Sequence, residues 1–392
     1  MTARPGQAWH RNNPPGMIGM DWTLINTALA LLAVGVIMVG STSVAVAEKY
    51  AVGPWHFLIR HLLFIGIGVL IAALMSQLPM EWLKRLSRVC LPLSVLLLLL
   101  VFVPGLGVER NGAQRWLNLG LLNFQAVEAV KLLMIIHVAG YLAARPGFEK
   151  SSLIETLKPL LAGALIAGIL LKQPDMGSAV VLMAILGGMV WLAGAAWRYL
   201  SLLGAGALPV VTFAALEPYR LRRLTSFTDP FADPYGDGFQ MVQALIAIGR
   251  GELTGVGIGA SVQKLFYLPE AHTDFIFAIL AEETGLLGIT LVLALFALLV
   301  WRIFVIGLNA LELGRAFEAF LCFGVGLWIG LQALIAIGVN LRVLPTKGLT
   351  LPLLSAGGSS MLMVLVALAL VIRIGRDNAL ERLKRPVREW AS

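Results

Sequence analysis

Ten long apolar runs dominate this sequence and leave little room for any other architecture. They lie at 24–46, 57–76, 89–104, 124–144, 156–172, 176–194, 199–217, 274–304, 316–341 and 351–374. Each approaches the ~20 residues that an α-helix needs to cross about 30 Å of hydrocarbon. Only 13% of the residues are charged, against roughly a quarter in soluble proteins. We therefore predict an all-α polytopic membrane protein with about ten transmembrane helices.

The distribution of Lys and Arg predicts how the chain lies in the membrane. The two termini and the connections on their side carry far more Lys and Arg than the short connections opposite. Basic residues favour the cytoplasmic side, so we expect cytoplasmic tails at 1–21 and 376–392, the second one basic, around a transmembrane domain at 22–375. The net charge of +8 is explained by these topology signals. No nucleic-acid motif accompanies it, and we expect no nucleic-acid partner.

The 218–273 loop, between the seventh and eighth spans, is the longest stretch that cannot lie in hydrocarbon, and it is expected to face outward. Its pairs Asp229-Pro230, Asp233-Pro234 and Asp237-Gly238 are typical of turns, an interpretation that we prefer to metal ligation. Residues 239–248 have helical periodicity and are too short to span a membrane. We expect this helix to lie in the interface or to dip in partway, with one face formed by Phe239, Val242, Leu245 and Ile246.

Several ordered motifs resemble those of the SEDS family (shape, elongation, division, sporulation) over about residues 22–375. They are Arg223-Leu224-Thr225, the segment from Gln240 to Gly251, Leu268-Pro269-Glu270-Ala271-His272-Thr273-Asp274-Phe275, Leu344-Pro345-Thr346-Lys347-Gly348 and Ser355-Ala356-Gly357-Gly358-Ser359-Ser360. The resemblance implies a peptidoglycan glycosyltransferase that polymerises lipid II on the outer face of the bacterial inner membrane. It also implies a class B penicillin-binding protein as the crosslinking partner.

The sequence departs from the family pattern at two places. Gln125-Ala126-Val127-Glu128 stands where Gln-Pro-Ser-Glu is usual, and Ser355-Ala356-Gly357-Gly358 stands for Ser-Tyr-Gly-Gly. Lys347 and Thr350 resemble the division branch, whereas the elongation branch usually has a neutral residue and Pro there. The resemblance therefore implies a multi-pass protein of the division septum, with other divisome membrane proteins as further partners.

Asp274 is the candidate catalytic residue. Glycan polymerisation joins an acceptor hydroxyl to the anomeric carbon of a donor whose polyprenyl diphosphate leaves, and a carboxylate at the membrane surface suits the role of general base. From the residues alone, helix capping by Thr273 or Asp274 is an equal alternative. The family motif, whose matching Asp is its presumed catalytic residue, favours catalysis.

The diphosphate requires cations, and the candidates lie in several outer connections. Arg220, Arg222 and Arg223 have guanidinium groups that suit phosphate oxygens, although a cluster that binds anionic lipid headgroups is an equal alternative. Further candidates are Arg115, Arg342, Lys347 and His272. A divalent cation, Mg or Mn, would also neutralise the leaving group, but no ligand set is apparent, and we expect no organic cofactor.

Glu128 and Lys131 lie three residues apart within the fourth apolar run, on one helical face. An unpaired charge at mid-bilayer costs roughly 2.5–3.5 kcal/mol on insertion scales, so we expect them to pair or to face a polar cavity, with Asp175 joining them. A structural ion pair and a substrate contact both remain open. A transporter would also explain intramembrane charges, and a scaffold for division proteins is a third class. The absence of a repeated half counts against the transporter.

Overall fold

The computed structural model describes residues 19–49, 53–110, 113–118, 120, 123–216, 227–236, 238–265, 267–345 and 348–384. Twelve α-helices lie within these described ranges. They are α1 (Trp22–Lys49), α2 (His56–Met75), α3 (Met80–Leu86), α4 (Cys90–Leu100), α5 (Ala126–Ala143), α6 (Leu153–Lys172), α7 (Met176–Leu192), α8 (Trp197–Ala215), α9 (Phe239–Arg250), α10 (Ile276–Glu312), α11 (Ala316–Asn340) and α12 (Gly358–Lys384).

Each of the ten predicted spans contains one of these helices, and the polytopic helical fold is confirmed. Among the described residues, seven helices are long and apolar enough to cross a membrane: α1, α2, α5, α6, α10, α11 and α12. Helices α4 and α7 are apolar but shorter. The last predicted span was wrong at its start, because residues 351–357 form turns, and the Ser355 hydroxyl accepts a hydrogen bond from the Leu351 N–H. Helix α12 then continues past residue 376 into the predicted tail.

A small antiparallel sheet is the one departure from a purely helical chain in the described ranges. Its strands are β1 (Gly107–Arg110), β2 (Ala113–Asn118) and β3 (Asn123–Gln125), in that order. They occupy the connection between α4 and α5, where hairpin pairing satisfies backbone groups that no helix covers. Strand β3 runs directly into α5, and the Gln125 N–H donates to the Ser359 hydroxyl at the start of α12. The sheet is thereby tied to the first turn of α12.

Helices α5 and α11 are the most deeply buried of the spans and form the centre of the bundle. Gly324 on α11 permits their close approach, since a Cβ there would lie 2.4 Å from the Ile135 side chain of α5. Small residues at such contacts are the usual way in which membrane helices pack. Charged residues on α5 are therefore surrounded by protein rather than by lipid.

The predicted short helix of the long loop exists as α9, and its predicted apolar face only partly coincides with the side that is buried. Met241, Val242, Ala244 and Ala247 are buried, whereas Ile246 is 45% exposed. The buried side packs on α10. Tertiary contact with α10, rather than the position of the largest apolar side chains, decides which face is covered.

Helix α10 is broken at Gly285, which has φ +64° and ψ −161°. This left-handed backbone suits glycine, and a Cβ would lie 2.4 Å from the Gly255 nitrogen. The break separates residues 276–284, beside the long loop, from the remainder of α10. The apolar run at 274–304 is thus two helical segments rather than one uninterrupted span.

The described parts of the connections 101–125, 173–175, 227–275 and 341–357 lie at one end of the bundle, here called the loop face. Contacts across this face include Gln125 with Ser359, Arg115 with Asp175 and Arg342 with the carbonyl of Phe227. At the opposite end, Arg302 pairs with Asp21, and Arg382 pairs with Glu312. The loop face carries the family-like motifs, so the candidate site is sought there.

Candidate active site

Asp274 lies in a compact turn immediately before α10. The Glu270 carbonyl accepts hydrogen bonds from the N–H groups of Thr273, Asp274 and Phe275, at 3.1, 3.1 and 3.2 Å. Glu270 has φ +54°, an uncommon left-handed conformation for a residue with a side chain. Its carboxylate accepts from the Thr273 hydroxyl at 2.8 Å. The turn thus holds the backbone of Asp274 through local hydrogen bonds.

The N-cap residue of α10 is Phe275, whose side chain makes no capping hydrogen bond. The Asn340 side chain of α11 supplies the cap instead, because its oxygen accepts from the Ala278 N–H at 3.1 Å. Its nitrogen donates to the Asp274 carbonyl at 3.1 Å. Asn340 is fully buried. The two roles left open for Asp274, general base and helix capping, both stay predictions.

Residues 348–357 form the opposite wall of the site. The Ser355 hydroxyl donates to the Thr273 carbonyl at 2.7 Å, and the Ala356 N–H donates to the His272 carbonyl at 3.0 Å. Gly348 lies against the Asp274 carboxylate, since a Cβ at 348 would be 2.9 Å from Asp274 Oδ2. The two family-like motifs, distant in sequence, are joined here by one hydrogen bond from a side chain and one between backbone groups.

His272 lies beside α2 rather than in open solvent. Its ring packs against Phe57, with 5.6 Å between the ring centroids, and its Nδ1 is buried without a hydrogen-bond partner among the described residues. Burial lowers the pKa of His272 below its ordinary value, although the Glu270 carboxylate opposes this shift. His272 is consequently a neutral, packed ring at pH 7, which does not suit it to hold a diphosphate as a cation.

Only some of the cations predicted to bind the diphosphate lie among the residues that the structure describes. Arg220, Arg222, Arg223 and Lys347 lie outside the described residues. Arg342 donates to the carbonyls of Phe227 and Thr228, at 3.3 and 2.6 Å. It follows Asn340 by two residues, so the guanidinium links the long loop to the end of α11.

Arg115 and Asp175 meet at another part of the loop face. Arg115 Nη1 lies 3.9 Å from Asp175 Oδ1, and its Nε donates to the Gln173 carbonyl at 3.3 Å. Asp175 caps α7, where its carboxylate accepts from the Ser178 N–H at 3.2 Å. The expectation that Asp175 joins Glu128 and Lys131 was wrong, because capping and Arg115 occupy its carboxylate.

Glu128 and Lys131 form a buried ion pair on α5, and Lys131 Nζ is 2.9 Å from each carboxylate oxygen. Lys131 also donates to Gln332 Oε1 at 2.7 Å. The Gln332 amide nitrogen in turn donates to the Thr350 carbonyl at 2.9 Å. The intramembrane pair is therefore connected by hydrogen bonds to the 348–357 wall of the site.

Sequence reasoning missed a second buried charged cluster, below the loop and beside α1. Glu283 Oε1 accepts from Lys264 Nζ at 3.0 Å and from the Ser41 hydroxyl at 2.6 Å. Glu282 accepts from the Ser261 hydroxyl and from the Val262 N–H. The available signal was Glu282-Glu283 itself, two charges inside a predicted span, where charges are rare and normally paired.

The donor set for a divalent cation is not found among the described residues. No three His, Cys, Asp or Glu side chains within them come together as ligands. The described part of the site does not fit the predicted ion, and no mechanistic step is derived through it. The cation remains a prediction from the charge of the leaving group.

Known proteins are similar to this chain in sequence. Residues 21–380 match a family described as cell cycle proteins, FtsW, RodA and SpoVE. A relative from Alkalilimnicola ehrlichii, named probable peptidoglycan glycosyltransferase FtsW, is 49% identical over 378 residues, which cover 96% of this chain and 92% of the relative. A relative of the same name from Coxiella burnetii is 45% identical over 91% of this chain and 96% of its own length.

Two solved structures extend the similarity to the fold. One is a chain from a peptidoglycan synthase complex studied for the structural coordination of polymerization and crosslinking. It has a TM-score of 0.74 and 33% identity over 92% of this chain and 98% of its own. The rod shape determining protein RodA of Thermus thermophilus has a TM-score of 0.67 and 31% identity over 93% of this chain and 99% of its own.

Proposed function

Because the chain belongs to the FtsW, RodA and SpoVE family of cell cycle proteins, we propose that it polymerises lipid II during cell division with Asp274 as general base. The chain is a peptidoglycan glycosyltransferase of the FtsW type, as are the relatives that it matches over nearly its whole length. The single observation that supports Asp274 as the base is its placement. The turn and Asn340 hold its backbone, and its carboxylate lies against Gly348 in the 348–357 wall.

The reaction forms one C–O bond and breaks another. The acceptor hydroxyl oxygen attacks the anomeric carbon of the donor, and the bond from that carbon to the polyprenyl diphosphate breaks. The Asp274 carboxylate accepts the hydroxyl proton, and the diphosphate leaves with the electron pair. A positioned base of this kind contributes about 10²–10⁴-fold to the rate.

The negative charge of the leaving diphosphate must be neutralised by cations. Arg220, Arg222, Arg223 and Lys347 are proposed to bind its oxygens, with the divalent cation as an additional candidate. Arg342 supports this part of the site by anchoring the carbonyls of Phe227 and Thr228. Guanidinium groups bind phosphate oxygens in pairs of parallel hydrogen bonds.

The proposed setting is the division septum of the bacterial inner membrane, with both termini in the cytoplasm. A class B penicillin-binding protein is the proposed partner, and the similarity to a synthase complex that coordinates polymerization with crosslinking supports it. Other divisome membrane proteins and lipid II complete the proposed partners. A tagged copy of the protein is expected at midcell, and depletion of the protein is expected to produce filamentous cells. Depleted cells that round up along their whole length would instead assign the protein to elongation.

The proposed base is tested with the partner-bound protein and lipid II in detergent. Asp274→Asn is expected to lower the rate of polymer formation by about 10²–10⁴-fold, because an amide cannot accept the proton. Asp229→Asn is the matched control, since Asp229 makes a turn on the same loop through the Phe231 N–H and asparagine can make the same turn. Wild-type rates from a folded Asp274→Asn variant would contradict the assignment. A transporter would form no polymer in detergent at all.

A further inference from the structure

The 251–258 loop, which follows α9, covers the break in α10 and replaces its missing turn. Two N–H groups beyond the break donate to loop carbonyls, and two helical carbonyls before the break accept from loop N–H groups. The pairs are Leu286 with Glu252, Leu287 with Leu253, Val256 with Glu282 and Gly257 with Glu283, at 3.0–3.2 Å. Backbone that lies at membrane depth must have its polar groups paired within the protein. The loop meets this requirement through α10.

Two carboxylates of α10 at this level point into the protein. Glu282 and Glu283 are buried, and Lys264 neutralises Glu283 at 3.0 Å. Arg250 and Glu252 are exposed, and Arg250 Nη1 lies 3.5 Å from Glu282. The large apolar side chains point outward. Leu253 and Ile258 of the loop are 67% and 66% exposed, and Leu286 and Leu287 of α10 are exposed beside them.

The outward apolar side chains of the loop continue the lipid-facing surface of α10. This surface runs from Leu286 and Leu287 through the exposed Leu291 and Leu293. The hydrogen bond between the Leu287 N–H and the Leu253 carbonyl holds the loop at the same level. An apolar surface that is continuous with a membrane helix, and that would be exposed in water, indicates contact with lipid.

The length of α10 places this level inside the bilayer. Trp301, which is exposed, and Arg302, which pairs with Asp21 before α1, mark the far interface, where Trp and Arg are enriched. At about 1.5 Å per residue, Leu286 lies about 22 Å along the helix from Trp301. The hydrocarbon is about 30 Å thick. Leu286 therefore lies below the opposite interface, and tilting the helix would place it deeper.

We infer that the 251–258 loop is inserted into the lipid leaflet of the loop face. Leu253 lies among the acyl chains and Ile258 near their upper boundary, while the exposed Glu252 side chain extends toward the headgroups, as long charged side chains do. The ligand of this surface is the bilayer itself. The insertion anchors the long loop in the membrane at the break in α10, and the helical segment 276–284 connects this level to the turn that carries Asp274.

Single cysteines test the insertion, because Cys90 and Cys322 are buried and contribute little background. Leu253→Cys and Ile258→Cys are compared with Tyr235→Cys, a 90% exposed position of the same long loop that lies away from the break. The chain alone is reconstituted in liposomes and treated with a charged maleimide. Labelling at 253 is expected to be at least about tenfold slower than at 235, because a charged reagent is excluded from hydrocarbon.

A nitroxide at each cysteine supplies a second measurement that does not depend on reactivity. At 253 oxygen is expected to relax the label more than a water-soluble nickel complex does, and at 235 the order should reverse. Variants are accepted only if they elute as the wild type and label fully after denaturation. Equal labelling at 253 and 235 would overturn the insertion. Labelling at 253 that is lost only on adding the transpeptidase would also overturn it, since the surface would then bind the partner.

Discussion

Replacement of Lys131 by methionine tests whether removing one member of the buried Glu128–Lys131 pair destabilises the protein more than removing both. The ammonium lies 2.9 Å from the Glu128 carboxylate, 2.7 Å from Gln332 Oε1 and 5.0 Å from the centre of the Trp328 ring. Methionine keeps most of the side-chain volume and removes the charge. The change therefore leaves the Glu128 carboxylate without its cation in a bundle where it is 4% exposed.

The expected loss follows from the stranded charge. Breaking a buried pair by removing one partner costs about 3–5 kcal/mol in the free energy of unfolding. Gln332 loses little, because its Oε1 also accepts from the Trp328 indole N–H at 2.8 Å. Glu128→Gln/Lys131→Met has no buried charge, and exchanging both members of a buried pair for neutral residues is often close to neutral. The double variant should therefore be more stable than Lys131→Met alone.

The measurement is thermal or denaturant unfolding in detergent of the wild type, both single variants and the double variant. The control cycle is Arg382→Met with Glu312→Gln, a pair at the opposite end whose side chains are 40% and 68% exposed. Exposed pairs are worth about 0–1 kcal/mol, so this cycle should show little coupling. A Glu128→Gln/Lys131→Met protein no more stable than Lys131→Met would refute the reasoning.

Three further predictions concern the surroundings of Asp274. Gly348→Ala should lower kcat by about 10²-fold, since a Cβ 2.9 Å from Asp274 Oδ2 displaces the carboxylate and small misplacements are costly; an unchanged kcat in the lipid II assay counts against it. Asn340→Asp should lower kcat and change KM little, because its carboxylate cannot donate to the Asp274 carbonyl. Asn378→Asp, a control at a buried position at the opposite end, should leave kcat unchanged. Equal losses of kcat in the two variants would indicate general destabilisation. Because burial lowers the pKa of His272, the free energy of unfolding should fall as the pH drops below the unfolded-state pKa of about 6.5. Melting temperatures measured across this pH range should fall less steeply for His272→Gln than for the wild type. The same pH dependence in both proteins would refute this prediction.

The helical membrane fold, the position of most spans and the motif around Asp274 follow from the sequence alone. Apolar runs of this length have one common solution in a bilayer, so composition and spacing were sufficient. The pairing of Glu128 with Lys131 was also expected, because residues three apart share a helical face. Local spacing carries such information without any knowledge of the neighbours.

Only the tertiary structure decided how distant segments share their polar groups. Asn340 caps α10 from another helix and also donates to the Asp274 carbonyl. Asp175 pairs with Arg115 rather than with the charges on α5. The break at Gly285 lies hidden in a continuous apolar run, because only the hydrogen bonds from the 251–258 loop make it stable. Contacts between residues far apart in the chain leave no regular spacing in the sequence, so the sequence pattern could not predict them.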